Sequence, residues 1–309
     1  MVGNPVFPYF DLNPKLLLKN RDWDDWLGGA LFDRAVFSSA ARGGDSITLL
    51  DSQSFAKGGG GGGKPGGGGG GDSGVLTSYR AGSADGDLGY DIWIEFKGSG
   101  WTTELQKAFT DAADYFTKVI TEDIVGGGLY RGKVIDDLYV TAELTAIDGT
   151  GGILGQAGPT AVWTSTELTA AGLMQFDVAD AANYLKDGLW DDIVTHELMH
   201  VLGFGSLWNY GTNPLVYDNP DPNNSDWYIG AEGLAAYNEQ FGASANFIPV
   251  EADGGSGTAG AHWDEESLNN ELMTGYIDSS NYLSEFSVMS LADLDYTVGN
   301  YYDYGAPIV

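Results

Sequence analysis

The 309-residue chain contains no cysteine. Disulfides, thiolate metal ligands and a cysteine nucleophile are therefore excluded together. Positive charge is scarce: 14 Lys and Arg stand against 44 Asp and Glu, a formal net charge of −30. Such a surface repels phosphate backbones and anionic lipid, which argues against nucleic acid and acidic membranes as partners. Long apolar runs are missing too, and no stretch approaches the roughly 20 residues of a transmembrane helix. Residues 1–18 lack a basic region followed by an apolar core, so no secretory signal is expected there. Histidine is rare. The chain has three, and two of them stand four residues apart.

That pair lies in His196-Glu197-Leu198-Met199-His200-Val201-Leu202-Gly203. Residues four apart on a helix differ by about 40° around its axis, so both imidazoles face one way and can grip a single zinc ion. Glu197 stands beside them, placed to take a proton from water at the metal. The preceding Trp190-Asp191-Asp192-Ile193-Val194 supplies a helix start, with acidic residues at the positive end of the helix dipole. Gly203 falls where a helix ends in a left-handed turn. An HExxH string alone also recurs on ordinary helix surfaces. Here its apolar helix, the following glycine and the scarcity of histidine elsewhere favour a metal site.

The rest of the chain divides by composition. Residues 1–57 mix aromatic and acidic side chains and read as a separate N-terminal piece, a prosegment or an accessory segment. Residues 58–72 form a linker: twelve glycines around Lys64-Pro65, a flexible coil spanning about 20 Å. It is no phosphate loop, because no strand leads in and no Lys-Ser/Thr helix follows. Residues 73–309 form the folded domain. Within it, residues 90–96 and 138–144 read as strands. Residues 102–121 carry apolar side chains at helical spacing. Residues 148–155 form a glycine-rich turn, and 161–165 and 173–176 are two short strands. This order implies an α/β sheet with the metal-binding helix beneath it. Beyond residue 205, loops rich in Asn, Asp, Pro and Gly alternate with a helix at 231–241 and a last helix ending at Leu294.

A catalytic zinc usually has three protein ligands and an open position. The commonest continuation of the motif places a third histidine at position 206, where this chain has Ser206. The remaining histidine, His262, requires the chain to leave the helix and return. A carboxylate from residues 221–239, such as Glu232, is the rival third ligand.

Several stretches together resemble the leishmanolysin family of metzincin metallopeptidases. They are residues 196–205; His262-Trp263 with Asn270-Glu271-Leu272-Met273-Thr274-Gly275; Ser287-Val288-Met289-Ser290-Leu291-Ala292-Asp293-Leu294; and, upstream, residues 147–159 and 174–177. The resemblance covers roughly residues 88–300. It implies an α+β chain of the metzincin-type zincin fold. An upper α/β subdomain, to about residue 205, would carry a twisted sheet and the active-site helix. A mostly irregular lower subdomain, 206–309, would end in a helix. It further implies His196, His200 and His262 as zinc ligands, Glu197 as catalytic base and Met289 as the methionine of the turn beneath the metal. The eukaryotic members are disulfide-rich; this chain is not, which points to a bacterial-type relative without a cysteine-based latency switch.

These readings lead to a zinc endopeptidase acting on polypeptides outside the cell, secreted or on its surface, monomeric by default. An extended substrate is expected to pair with an edge strand over the cleft. By place in the strand order that strand comprises Ala161, Val162, Trp163 and Thr164. The many carboxylates and loops such as Tyr217-Asp218-Asn219-Pro220-Asp221 lead to an expected structural calcium. Two alternatives stay open: a catalytically silent surface or adhesion module on the same frame, and a zinc peptidase of another clan with a glutamate ligand.

Overall fold

The longest periodic stretch folds as helix α1, Thr103–Val119. Thr102 caps it, its hydroxyl accepting from the Leu105 N–H. Leu105, Ala108, Phe109, Ala112, Ala113 and Phe116 form its buried face. The helix lies in a computed structural model that describes residues 21–22, 46–50, 74–82, 89–124, 127–147, 149–150, 155–211, 214–219, 225–252 and 258–299.

The chain is mixed α/β. Its main sheet has six strands: β1 (Ile47–Leu49), β2 (Ser78–Ala81), β3 (Ile92–Gly98), β4 (Leu138–Thr145), β5 (Gly155–Trp163) and β6 (Thr169–Asp177). They lie in the order β1-β5-β6-β4-β3-β2. β3, β4 and β6 run parallel; β5 runs antiparallel to β6, β2 to β3 and β1 to β5. The alternation of Ile92, Ile94 and Phe96 buries one face of β3 against the main core. Beneath the sheet run α2 (Val178–Asp187) and α3 (Trp190–Leu202). From Asp192 to Leu202 every residue of α3 is buried, so this helix is a core element with no solvent face. Trp190 fixes its start, donating from Nε1 to the Leu105 carbonyl of α1 at 2.9 Å and stacking edge-on against Phe176.

After α3 the chain becomes less regular. A three-stranded sheet, Val216–Tyr217, Asp226–Tyr228 and Ile248–Val250, accompanies α4 (Ala231–Phe241), α5 (Glu265–Leu268) and α6 (Glu285–Met289). A short 3-10 turn, Ala292–Leu294, follows α6. The single last helix expected from the sequence is thus two short turns.

Two further differences from the sequence reading concern β5 and what covers it. β5 is nine residues long and begins inside the expected glycine turn. Gly and Pro read as strand breakers, but the register shifts between Pro159 and Val162, so Pro159 sits at a bulge. The N-terminal piece, moreover, does not stand wholly apart. Ile47 pairs with Trp163, Thr48 with Val162 and Leu49 with Ala161. The Leu50 N–H donates to the Thr160 carbonyl, and the Thr164 N–H to the Ser46 carbonyl. Leu50 then buries its side chain against Val162 and Leu207. Ala161, Val162 and Trp163, expected as a free edge, are therefore covered by β1. Among the described residues nothing pairs with the outer side of Gly155 to Pro159. The glycine linker and the rest of the N-terminal piece lie outside the described residues, except for Arg21–Asp22, which pairs with Tyr276–Ile277.

Candidate metal centre

Gly203 ends α3 at φ 116°, its N–H bonded to the His200 carbonyl. That left-handed residue turns the chain back under the helix it has just left. Two residues on, Gly205 at φ 67° lies so close to the returning chain that a Cβ there would fall 2.1 Å from the Ala261 carbonyl oxygen. Ser206, at the usual position of a third ligand, instead donates its hydroxyl to the His200 carbonyl at 2.6 Å.

The return of His262 is driven by its neighbour. Trp263 is fully buried and packs against Phe204, Trp208, Tyr228 and Phe286, with ring centroids 5.0–5.7 Å away. Burying an indole of this size stabilises by roughly 2–3 kcal/mol and anchors the segment. The Trp263 N–H donates to the Met273 carbonyl, and the Glu251 N–H to the His262 carbonyl. The histidine is thus held between two strand-like segments.

His196, His200 and His262 meet in a fully buried cluster. Their Nε2 atoms lie 2.9 Å (His196–His200), 3.0 Å (His200–His262) and 3.3 Å (His196–His262) apart. Each Nδ1 faces a backbone carbonyl: Leu272 for His196 at 2.7 Å, Phe204 for His200 at 2.9 Å and Thr258 for His262 at 3.2 Å. A carbonyl can only accept, so each ring carries its proton on Nδ1 and turns an Nε2 lone pair to the centre. The Nε2 contacts are therefore three facing lone pairs and not hydrogen bonds. Ligands at about 2.0–2.1 Å from a tetrahedral zinc lie about 3.3–3.4 Å apart, so the trio fits such an ion after small adjustment. Burial keeps the rings neutral. It pushes His200 down to about 4 and His196 and His262 well below the usual histidine range, where neighbouring imidazoles add to the fall.

Glu197 is fully buried beside this cluster, and neither carboxylate oxygen has a hydrogen-bond partner among the described residues. Burial alone raises its carboxyl to about 8. Met289 closes α6, half-buried against the main core. Glu232 lies exposed in the first turn of α4, outside the histidine cluster. Among the described residues the histidines are the one group of three or more candidate ligands whose donor atoms converge, and the expected calcium gains no site there. Of the loop expected to bind it, Pro220 and Asp221 lie outside the described residues; the Asn219 N–H donates to Asp226 and its side-chain amide to the Ser225 carbonyl. The sequence reading missed Glu271, a fully buried carboxylate behind His196. The stretch 270–275 carries part of the family resemblance, but nothing in it distinguishes a surface glutamate from a buried one or gives Glu271 a role.

A buried helix bearing HExxH and a third histidine returned from a distant loop bring together three imidazoles that could hold a metal ion, under an α/β sheet. The leishmanolysin family model matches residues 135–304, more than half of the chain. The chain belongs to this family of metallopeptidases. It is also 29% identical over 168 residues to a leishmanolysin homolog of Crithidia fasciculata. That stretch covers 53% of this chain and 25% of the relative, so the two share only part of the relative's length. No helix among the described residues is long and apolar enough to cross a membrane.

Proposed function

We propose that the protein is a zinc-dependent endopeptidase of the metzincin type acting on polypeptides outside the cell. The observation that carries this reading is the convergence of three Nε2 lone pairs beside an unpartnered, buried Glu197. His196, His200 and His262 would hold the ion, as three protein ligands do in catalytic zinc sites. Zinc, when bound, supplies a Lewis acid that polarises the scissile carbonyl and acidifies water. Glu197 takes the proton from the attacking water and delivers it to the leaving amine. Met289 serves as the methionine of the turn below the metal. The sheet with α3 forms the upper subdomain and residues 206–309 the lower one. A silent adhesion module has less support, because a structural site has no use for an unpaired buried carboxylate, which costs stability.

The test is a fluorogenic protein substrate with the full chain. Activity is expected to disappear on chelation and return with one equivalent of zinc. Turnover that persists in metal-free protein would sink the reading.

Extended substrates pair with the outer side of β5, running antiparallel to it as β1 does. β1 thus occupies one end of the strand-accepting edge, over Ala161, Val162 and Trp163. A chain lacking residues 1–57 should expose that end and bind long peptides more tightly, with KM lowered several-fold and kcat little changed. An unchanged KM for peptides of eight or more residues would show that this edge takes no part in binding.

A further inference from the structure

Glu271 buries its carboxylate completely and surrounds it with neutral donors. One oxygen, Oε2, accepts from the Met273 N–H at 2.5 Å. The other accepts from the Ser284 N–H at 3.0 Å, the Ser284 hydroxyl at 2.7 Å and the Ser287 hydroxyl at 2.6 Å. Each oxygen therefore faces a backbone N–H, which can only donate, and the arrangement suits the ionised form. Burial pushes the carboxyl above its usual range, while Ser287, Ser284 and Met273 pull it back.

The Met273 N–H and the Leu272 carbonyl belong to one peptide group. Its N–H end meets Glu271 and its carbonyl end meets His196 Nδ1 at 2.7 Å. We propose that Glu271 is a positioning residue for the metal centre, acting on His196 through the Leu272–Met273 peptide group. A negative charge at the N–H end polarises the amide and makes its carbonyl oxygen a stronger acceptor. The proton is held on His196 Nδ1, and the Nε2 lone pair turned to the metal becomes more basic. Direct carboxylate–histidine pairs orient metal ligands in this way; here a peptide group stands between the two. The same carboxylate reaches the second site segment. Ser287 donates to it and accepts from Trp263 Nε1 at 2.7 Å, next to His262. One buried charge thus fixes the segments behind two of the three ligands.

This inference rests on the zinc reading, and one set of measurements separates the two. Zinc affinity is measured on the full chain by chelator competition, for wild type, Glu271→Gln, Glu271→Asp and Ser287→Ala. The visible spectrum of each cobalt-substituted protein and the melting temperature of each metal-free protein are recorded alongside. Glutamine keeps the size but loses the charge, and its amide must oppose the N–H of Met273 or Ser284. Zinc affinity should fall about 10–100-fold in Glu271→Gln, and the cobalt spectrum should shift. Ser287→Ala leaves the charge on the peptide path and should lose less. A folded Glu271→Gln with wild-type zinc affinity and an unchanged cobalt spectrum overturns the proposal, whatever its melting temperature. If Glu271→Gln does not fold, Glu271→Asp decides: the shorter side chain draws the charge away from the Met273 N–H, so weakened zinc affinity with a shifted cobalt spectrum supports the proposal and wild-type values overturn it. Wild-type protein that binds no zinc would instead refute the function proposed above.

Discussion

Replacing His262 by alanine should weaken zinc binding by on the order of a hundredfold or more and abolish peptidase activity, with the sheet still folded. Protein zinc sites gain roughly 10–16 kcal/mol from about four ligands, which is around 3 kcal/mol for each. His262 has no substitute nearby: Ser206 is committed to the His200 carbonyl, and Glu232 is exposed on α4. The fold should survive because Trp263, not His262, anchors the segment in the aromatic cluster. The β1-β5-β6-β4-β3-β2 sheet and α1 make no use of the histidine. Zinc content by atomic absorption, a chelator titration and the far-ultraviolet circular dichroism spectrum together check the result. Glu232→Ala should leave affinity and activity unchanged. Stoichiometric zinc and activity in His262→Ala, with both lost in Glu232→Ala, would reverse the ligand assignment and the reading built on it.

Three helices are legible because their signals are local, whereas α2, Val178–Asp187, is not among the elements expected. α1 shows its apolar spacing and its Thr102 cap, α4 begins and ends as expected, and α3 announces itself through two histidines and a closing glycine. What stayed hidden depends on distant partners. Gly155, Gly158 and Pro159 look like a turn until β6 pairs with them, and only the bulge makes the proline tolerable. Ile47–Leu49 is too short to identify as a strand, because its evidence is the exposed backbone of β5. His262 could be nominated by scarcity, but its orientation comes from Trp263, Thr258 and Gly205, of which only Gly205 lies near the motif helix. Glu271 shows the limit most clearly. A sequence gives a carboxylate no burial, and the peptide group that connects it to His196 has no side chain to read.

Glu197→Gln should leave zinc bound and the fold intact while lowering kcat about 10²–10⁴-fold, the usual range for losing a general acid–base group. Glutamine is nearly isosteric, so the buried pocket beside His196 and His200 stays filled and no cavity opens. It carries no charge, so the cost of placing an unpaired carboxylate at a fully buried position disappears. Glu197 is also absent from the converging ligand set, which is made up of the three histidines. Zinc affinity should therefore change by less than about tenfold, in contrast to His262→Ala. The loss should fall on kcat with KM for a peptide substrate nearly unchanged, since a proton shuttle acts in the transition state and not in ground-state binding. Steady-state kinetics on the zinc-loaded variant, with its metal content measured in the same sample, checks both halves. Near-normal turnover at full zinc occupancy would remove Glu197 from the mechanism, and loss of zinc from the folded variant would make it part of the metal's binding site instead.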